Sequence, residues 1–214
     1  MPLYKTITVD SGTKVLIWKI EESFEELSEG IILTKHCRER VDNMKSDLHR
    51  RGFMSVRHLL AAEGYTDHDL YYDALGKPHL SDGKHISITH SFIFSAIIIS
   101  SAEVGIDIEK QRAKILKIAH KFTPIEEYRT LANDDAIMRK LTMVWGAKES
   151  LYKSFARPGV SFLQHIYVED FHLEDLYSTA NVRFEDKEQR YCVWFLEFEG
   201  FTMAYALIAE ENMP

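Results

Sequence analysis

The sequence is poor in cysteine, and its two cysteines, Cys37 and Cys192, lie far apart. Without a CxxC pair, the chain lacks the marks of a disulfide framework and of a cysteine-rich zinc site. Its first residues, Met1 to Lys5, lack the basic and then apolar order of a signal peptide. The richest apolar run, Ile93 to Ile99, is too short to cross a bilayer. We therefore expect a cytoplasmic protein that does not insert into a membrane.

The chain also lacks an excess of basic residues, since 26 lysines and arginines stand against 33 aspartates and glutamates, giving a net charge of -7. A negative chain repels a phosphate backbone, so nucleic-acid binding is disfavoured. The sequence contains no GxGxxG, GxxxxGK[ST], GxSxG or HExxH pattern. It therefore lacks the usual marks of Rossmann cofactor binding, P-loop hydrolysis, α/β-hydrolase chemistry and zincin chemistry.

The pattern of apolar residues predicts two long helices, each followed further on by a β-hairpin. The helices run from about Asn43 to Glu63, capped by Gly64, and from about Ala136 to Phe155. A further helix start, with a capping box, is predicted at Thr123 to Glu126. The predicted strands are Thr6 to Val9, Lys14 to Lys19, His85 to Thr89, Phe94 to Ser100, Val104 to Glu109, Tyr191 to Phe198 and Thr202 to Glu210.

This order favours an α+β fold over a doubly wound parallel sheet. It suggests a duplication of two similar halves, 1–103 and 104–214, each with a long helix on a small antiparallel sheet.

The first candidate chemical group is the acidic strand Val104 to Lys110. Alternate residues of a strand share a face, so Asp107 and Glu109 point the same way, opposite to Ile106 and Ile108. Two neighbouring carboxylates repel each other unless a cation or a proton lies between them, and hard oxygen ligands suit Mg²⁺. The alternative is a solvated strand face with an incidental Asp-x-Glu.

The second group lies on the second long helix, where Trp145, Glu149 and Lys153 recur every fourth residue and project to a common side. Glu149 can supply a third carboxylate to the metal or act as a base. Lys153 can place a positive charge near a leaving phosphate. The alternative is an ordinary Glu-Lys surface pair beside a tryptophan that anchors the core.

The third group, Thr89, His90 and Ser91, collects hydrogen-bond donors at a strand end, where a phosphate can be held. A histidine that is simply hydrogen-bonded at a strand terminus is the alternative. Three arginines on the first long helix, two of them seven residues apart on one face, are further candidates for gripping a phosphate: Arg50, Arg51 and Arg57. A solvated basic helix face explains them equally well.

In this order and spacing, the groups resemble the signature of the 4′-phosphopantetheinyl transferase superfamily, in particular its surfactin-type branch. The resemblance covers the chain from about Arg50 to Lys153. The segments that carry it are Gly76-Lys77-Pro78, Ile88-Thr89-His90-Ser91, Gly105-Ile106-Asp107-Ile108-Glu109-Lys110, Lys121-Phe122-Thr123-Pro124 with Glu126-Glu127-Tyr128, and Trp145-Gly146-Ala147-Lys148-Glu149-Ser150 with Lys153.

The resemblance implies a pseudo-twofold fold with coenzyme A in the cleft between the halves. It implies Mg²⁺ held by Asp107, Glu109 and Glu149, and catalytic roles for Asp107, Glu149 and Lys153. It further implies that coenzyme A is contacted by phosphate-binding residues, namely Lys77, Thr89, His90, Lys153 and, among the arginines, Arg50 and Arg57.

The implied reaction moves phosphopantetheine from coenzyme A to a serine of an apo acyl or peptidyl carrier protein and releases 3′,5′-ADP. Because the chain contains both halves, we expect a monomer. Two other functions stay open. One is a binding module that holds coenzyme A or a carrier without turnover. The other is a Mg²⁺-dependent phosphohydrolase, for which the sequence offers no separate nucleophile.

Overall fold

The computed structural model describes residues 3–124 and 133–209. The chain divides into two compact units, Met1–Ser101 and Ala102–Pro214, called here the N-terminal unit and the C-terminal unit. Both combine helices with one antiparallel sheet, which gives a mixed α+β protein. The division into the halves 1–103 and 104–214 stays a prediction.

The N-terminal unit contains a six-stranded sheet of order β1-β2-β6-β5-β4-β3. Its core forms where apolar residues of one long helix, such as Phe53, Val56 and Leu60, pack with sheet residues such as Leu16 and Ile97. Its elements are β1 Leu3–Thr8, β2 Lys14–Lys19, α1 Phe24–Ser28, α2 Lys35–Asp42, α3 Asp47–Ala62, β3 Leu70–Tyr72, β4 Pro78–Leu80, β5 His85–Ser91 and β6 Phe94–Ser100.

The C-terminal unit contains a five-stranded sheet of order β7-β11-β10-β9-β8. One side of its long helix, including Met143, Ala147 and Leu151, packs on sheet residues such as Val193 and Ala204. Its elements are β7 Val104–Lys110, α4 Lys114–Ile118, a 3-10 turn at Ala119–Lys121, α5 Asp134–Phe155, β8 Ile166–Val168, β9 Tyr177–Phe184, β10 Lys187–Phe198 and β11 Phe201–Ile208.

The two units follow the same chain order. In each, a strand leads to a long helix, and four further strands follow, the last of which pairs antiparallel with that first strand. The order is β2, α3 and β3 to β6 in the N-terminal unit, and β7, α5 and β8 to β11 in the C-terminal unit. A shared order is compatible with the expected fold, and the origin of the units by duplication stays a prediction.

The first long helix differs from its prediction at its start. Asn43 ends α2, where its side chain donates to the carbonyl of Glu39, and α3 begins only after Ser46, whose hydroxyl caps it. The predicted helix therefore started too early, since it included Asn43 and the residues up to the Ser46 cap. At the other end of α3, Gly64 has φ +82°, as a residue that follows a helix end does.

The remaining elements agree with prediction in part. The hairpins β5–β6 and β10–β11 are both present, whereas the short strands β3, β4 and β8 and the longer β9 were not predicted. The helix start predicted at Thr123 to Glu126, and Glu127 and Tyr128 of the family-like segment, extend outside the described residues. Within the described residues, no helix combines the length and apolarity that crossing a membrane requires.

Candidate active site

Gly105 lets β7 approach α5 until their backbones touch. A Cβ atom placed on Gly105 would lie 1.8 Å from the main-chain oxygen of Ser150. The hydroxyl of Ser150 donates to the carbonyls of Gly146 and Ala204, at 2.8 and 2.9 Å, and so ties the helix to β11. Because residues of a strand alternate between its faces, Asp107 shares with Gly105 the face that meets α5.

Asp107 is buried at this contact, with 6% of its surface exposed. The ammonium group of Lys153, on the last turn of α5, donates to Asp107 Oδ1 at 2.7 Å and to the carbonyl of Ile106 at 2.9 Å. A buried carboxylate is costly unless a cation or hydrogen bonds compensate its charge. The solvated strand face considered from sequence is therefore wrong for Asp107.

Glu109 follows on the same face of β7 and meets the indole of Trp145. The indole N–H donates to Glu109 Oε1 at 3.2 Å. Burial raises the pKa of Glu109, and the neighbouring charge of Asp107 raises it further, against the indole hydrogen bond and the charges of Arg112 and Lys153. Trp145 thus combines an aromatic packing role with a polar contact to a candidate metal ligand.

Glu149 lies one helical turn before Lys153 on α5 and has the most strongly shifted carboxyl group of the site. Its pKa is raised to about 7, mainly by burial and then by the charge of Asp107, with Glu109 acting in the same direction and Lys153 against it. The three carboxylates therefore influence one another, and the charge of Lys153 acts on both Glu109 and Glu149. Such an excess of negative charge favours a cation or a proton, and Glu149 can exchange a proton near neutral pH.

The donor set fits a hard divalent cation by its chemistry. In the part of the chain that the structure describes, no three His, Cys, Asp or Glu side chains converge as a ready-made metal cage. Magnesium does not require such a cage, since it usually takes one or two carboxylates and fills its remaining positions with water and substrate phosphates. Asp107, Glu109 and Glu149 can therefore hold it only together with such additional ligands.

A cavity of about 130 Å³ opens beside Glu109. Its wall combines this carboxylate and Trp145 with three basic residues, Lys110, Arg112 and Lys114. Arg112 and Lys114 were not among the predicted site residues, although basic residues alternate in the sequence from Lys110 to Lys114. The cavity gives a negatively charged protein a local concentration of positive charge next to its acidic site.

In the N-terminal unit, His90 and Thr89 lie on opposite faces of β5, since consecutive strand residues alternate. His90 is exposed, and its ring packs over Gly52 of α3, 6.0 Å from the ring of His49. Thr89 is buried. The two residues that the sequence analysis grouped therefore point in different directions from the end of this strand.

The arginines of α3 have different surroundings. The guanidinium of Arg50 lies 3.7 Å from the ring centre of Phe24 and is half-buried. Arg57 is 3% exposed and donates to Asp67 Oδ1 at 2.9 Å, to the carbonyl of Phe53 at 3.2 Å and to Cys37 Sγ at 3.3 Å. These partners favour a structural role for Arg57 over the phosphate contact that was predicted for it.

The remaining basic candidates are partly exposed. Arg51 donates to the carbonyl of Ile20 at 3.2 Å. Lys77 lies immediately before β4, where Asp73 Oδ1 accepts from its main-chain N–H and from that of Leu75, both at 2.9 Å. Asp73 thus fixes the backbone of the loop that contains Lys77.

Residues 103–207 match the family model of the 4′-phosphopantetheinyl transferase superfamily. The matched range is a little under half of the chain. It contains β7, with Asp107 and Glu109, and α5, with Glu149 and Lys153. The match supports the superfamily and, in general terms, a phosphopantetheinyl transferase function. A search of curated proteins finds no match to the chain.

Proposed function

We propose that this protein is a surfactin-type 4′-phosphopantetheinyl transferase that loads carrier proteins from coenzyme A. The observation that carries the proposal is that Lys153 pairs with Asp107 and that the charge of Asp107 acts on Glu109 and Glu149. All four residues lie in the segment that matches the superfamily model. Acidic oxygen donors beside a lysine suit the positioning and charge neutralisation on which phosphoryl transfer depends.

Asp107, Glu109 and Glu149 are the residues that would hold Mg²⁺. When bound, the ion would offset the negative charge that develops on the phosphate oxygens during transfer. Lys153, already fixed by its salt bridge to Asp107, keeps its ammonium beside the same group of carboxylates and stabilises the leaving phosphate.

Glu149 accepts the proton of the attacking serine, directly or through a water molecule. A carboxyl group whose pKa is raised to about 7 is matched to proton transfer near neutral pH. The serine oxygen forms a bond to the pantetheine-bearing phosphorus, the bond from that phosphorus to the bridging oxygen of the pyrophosphate breaks, and 3′,5′-ADP leaves. Metal binding favours the ionised form of Glu149, so its functions as ligand and as base are linked.

In the N-terminal unit, we assign His90 and Arg50 to the 3′-phosphate of coenzyme A and Lys77 to one of its phosphates. His90 and Lys77 follow from the resemblance, and the half-buried Arg50 remains the arginine candidate on α3. Thr89 and Arg57 are less suited, because Thr89 is buried on the other face of β5 and Arg57 is paired with Asp67.

The proposed partner is an apo acyl or peptidyl carrier protein. The basic residues around the cavity supply the local positive charge that an acidic carrier requires from a protein of net charge -7. We place the reaction in the cytoplasm, in keeping with the free, buried thiols of Cys37 and Cys192, and assign it to a monomer.

Mass spectrometry of an apo acyl carrier protein, incubated with this protein, coenzyme A and Mg²⁺, tests the proposal. We expect the carrier to gain one phosphopantetheine group with the wild type and with Glu169→Gln, which changes an exposed glutamate of the same unit. We expect the gain to be lost in EDTA and nearly abolished in Glu149→Gln. No gain on acyl or peptidyl carriers, together with tight coenzyme A binding by calorimetry, would instead establish the binding module.

A further inference from the structure

Lys148 is a buried lysine next to the proposed base. Only 2% of its surface is exposed. Its ammonium group donates to two main-chain carbonyls, that of Phe122 at 2.5 Å and that of Phe162 at 2.8 Å. A buried ammonium is costly to desolvate, so a residue placed there for packing alone would be better apolar. These two hydrogen bonds tie two segments, one before α5 and one after it, to the helix.

Those two segments carry the rings that pack against Trp145. The ring of Phe122 meets the indole edge to face at 5.0 Å, and the ring of Phe162 lies 5.3 Å from it at a tilt of 46°. Trp145 is one turn before Lys148 on α5. One ammonium group therefore fixes the main chain of both residues whose rings hold the indole in place.

The orientation of the indole ring determines where its N–H points. That N–H donates to Glu109 Oε1 at 3.2 Å. Glu109 also borders the cavity that Trp145 lines. A continuous set of contacts thus runs from Lys148, through the two phenylalanines and Trp145, to a carboxylate of the acidic site.

We propose that Lys148 is a positioning residue for the acidic site: by clamping Phe122 and Phe162 against Trp145, it aims the indole N–H that orients Glu109. The proposal rests on the proposed function in so far as Glu109 is a metal ligand. Partners behind the direct ligands fix ligand orientation, and their removal typically weakens metal affinity by about 10- to 100-fold.

Lys140 provides a matched control on the same helix. It is 4% exposed, and its ammonium group also donates to a main-chain carbonyl, that of Phe171, as well as to Asp170 Oδ1 at 2.7 Å. Lys140 thus binds the segment at Asp170 and Phe171, which Lys148 does not contact through these hydrogen bonds. Lys140→Met therefore removes a buried ammonium of the same kind without touching the two carbonyls beside the indole.

The first measurement uses Trp145 as a fluorescent reporter. The chain has three tryptophans, so replacing Trp18 and Trp194 by phenylalanine leaves only Trp145. In this background we expect Lys148→Met to shift the emission to longer wavelength and to increase quenching by acrylamide several-fold, while Lys140→Met leaves both unchanged. Unchanged emission and quenching in a folded Lys148→Met variant would overturn the proposal.

The second measurement is Mn²⁺ affinity, by electron paramagnetic resonance, in the chain with all its tryptophans. We expect Lys148→Met to weaken binding about tenfold or more. Trp145→Phe keeps a ring but removes the N–H, so adding Lys148→Met to it should cause no further loss if Lys148 acts through Trp145. Losses that multiply in the double variant would contradict this route.

Lys148→Gln is the second variant, for use if Lys148→Met fails to give a folded protein by circular dichroism. Its neutral amide can donate to one of the two carbonyls, so we expect an intermediate increase in quenching. Emission and quenching equal to those of the parent would again overturn the proposal. A wild type that binds no divalent cation would contradict the proposed function, whereas the reporter measurement would still decide the role of Lys148.

Discussion

At the scale of single residues, the buried and half-buried cations of this protein take their roles from the partners that they meet. Lys153 contacts the carboxylate of Asp107 and belongs to the acidic site. Lys148 contacts main-chain carbonyls and organises the segments around Trp145. Arg57 contacts Asp67, whose side chain is wholly buried, and belongs to the core of the N-terminal unit. Residue type alone would have made all three candidates for binding phosphate.

The Arg57–Asp67 pair predicts a large loss of stability on removal of one partner. Burial acts to raise the pKa of Asp67, but the hydrogen bond from Thr34 and the charge of Arg57 outweigh it, and the net shift is downward. Arg57→Met leaves this carboxylate buried without its cation. We expect the free energy of unfolding in urea to fall by about 3–5 kcal/mol.

The control for this experiment is the exposed salt bridge between Lys14 and Glu63, at 3.0 Å in the same unit. Lys14→Met should cost less than about 1 kcal/mol, because solvent screens an exposed pair. If both variants lose the same small amount, Arg57 is not a structural residue and its assignment to coenzyme A regains support.

At the scale of elements, the acidic site depends on how closely β7 lies against α5. The contact is between backbones at Gly105 and Ser150, so it fixes both the separation of the two elements and their register. This register sets the positions of Asp107 and Glu109 on the strand relative to Glu149 and Lys153 on the helix. A change at Gly105 therefore acts on all four residues without altering any of them.

Gly105→Ala should destabilise the protein strongly and disturb the site. Its Cβ would lie 1.8 Å from a main-chain oxygen, which cannot move as a flexible side chain can. We expect a loss of about 3 kcal/mol or more, the upper range for overpacking, measured by urea denaturation. Any folded fraction should bind Mn²⁺ more weakly than the wild type.

Gly146→Ala is the matched control at the same interface. The Cβ added there would contact the Cβ of Ala204 at 3.4 Å, an ordinary packing distance. Alanine also favours a helix over glycine by about 1 kcal/mol. We therefore expect this variant to be as stable as the wild type or slightly more so, and an equal loss in the two variants would disprove the special role of Gly105.

The elements of the acidic site were predictable because their evidence is local. Alternation places Asp107 and Glu109 on one face of β7, and a spacing of four places Glu149 and Lys153 on one side of α5. Strands β3, β4 and β8 have only three residues each, which is too short for a periodic pattern. The contacts of Arg57 with Asp67 and of Lys148 with Phe122 span 10 and 26 residues, so neither helical nor strand periodicity indicates them.

At the scale of the whole molecule, the acidic site makes stability depend on pH and on cations. Its carboxylates are brought together by folding, so the folded protein binds protons that the unfolded chain releases. The pKa of Glu149 is raised from 4.5 to about 7, and that of Glu109 is raised as well, by burial above all. Stability gained in this way is present below the unfolded pKa and is lost as pH rises through the folded pKa.

We therefore expect the stability of the wild type relative to Glu149→Gln to fall between pH 4.5 and about 7 when divalent cations are removed with EDTA. Only the difference between the two proteins is informative, because carboxyl groups elsewhere in the chain, such as Asp67, have lowered pKa values and act in the opposite direction. Urea denaturation at several pH values measures this difference. Glu169→Gln, the exposed control, should follow the wild type, and saturating Mg²⁺ should flatten the dependence, because a bound cation favours the ionised carboxylates. A difference that stays constant or rises across this range would show that Glu149 does not hold the raised pKa on which its role as a base depends.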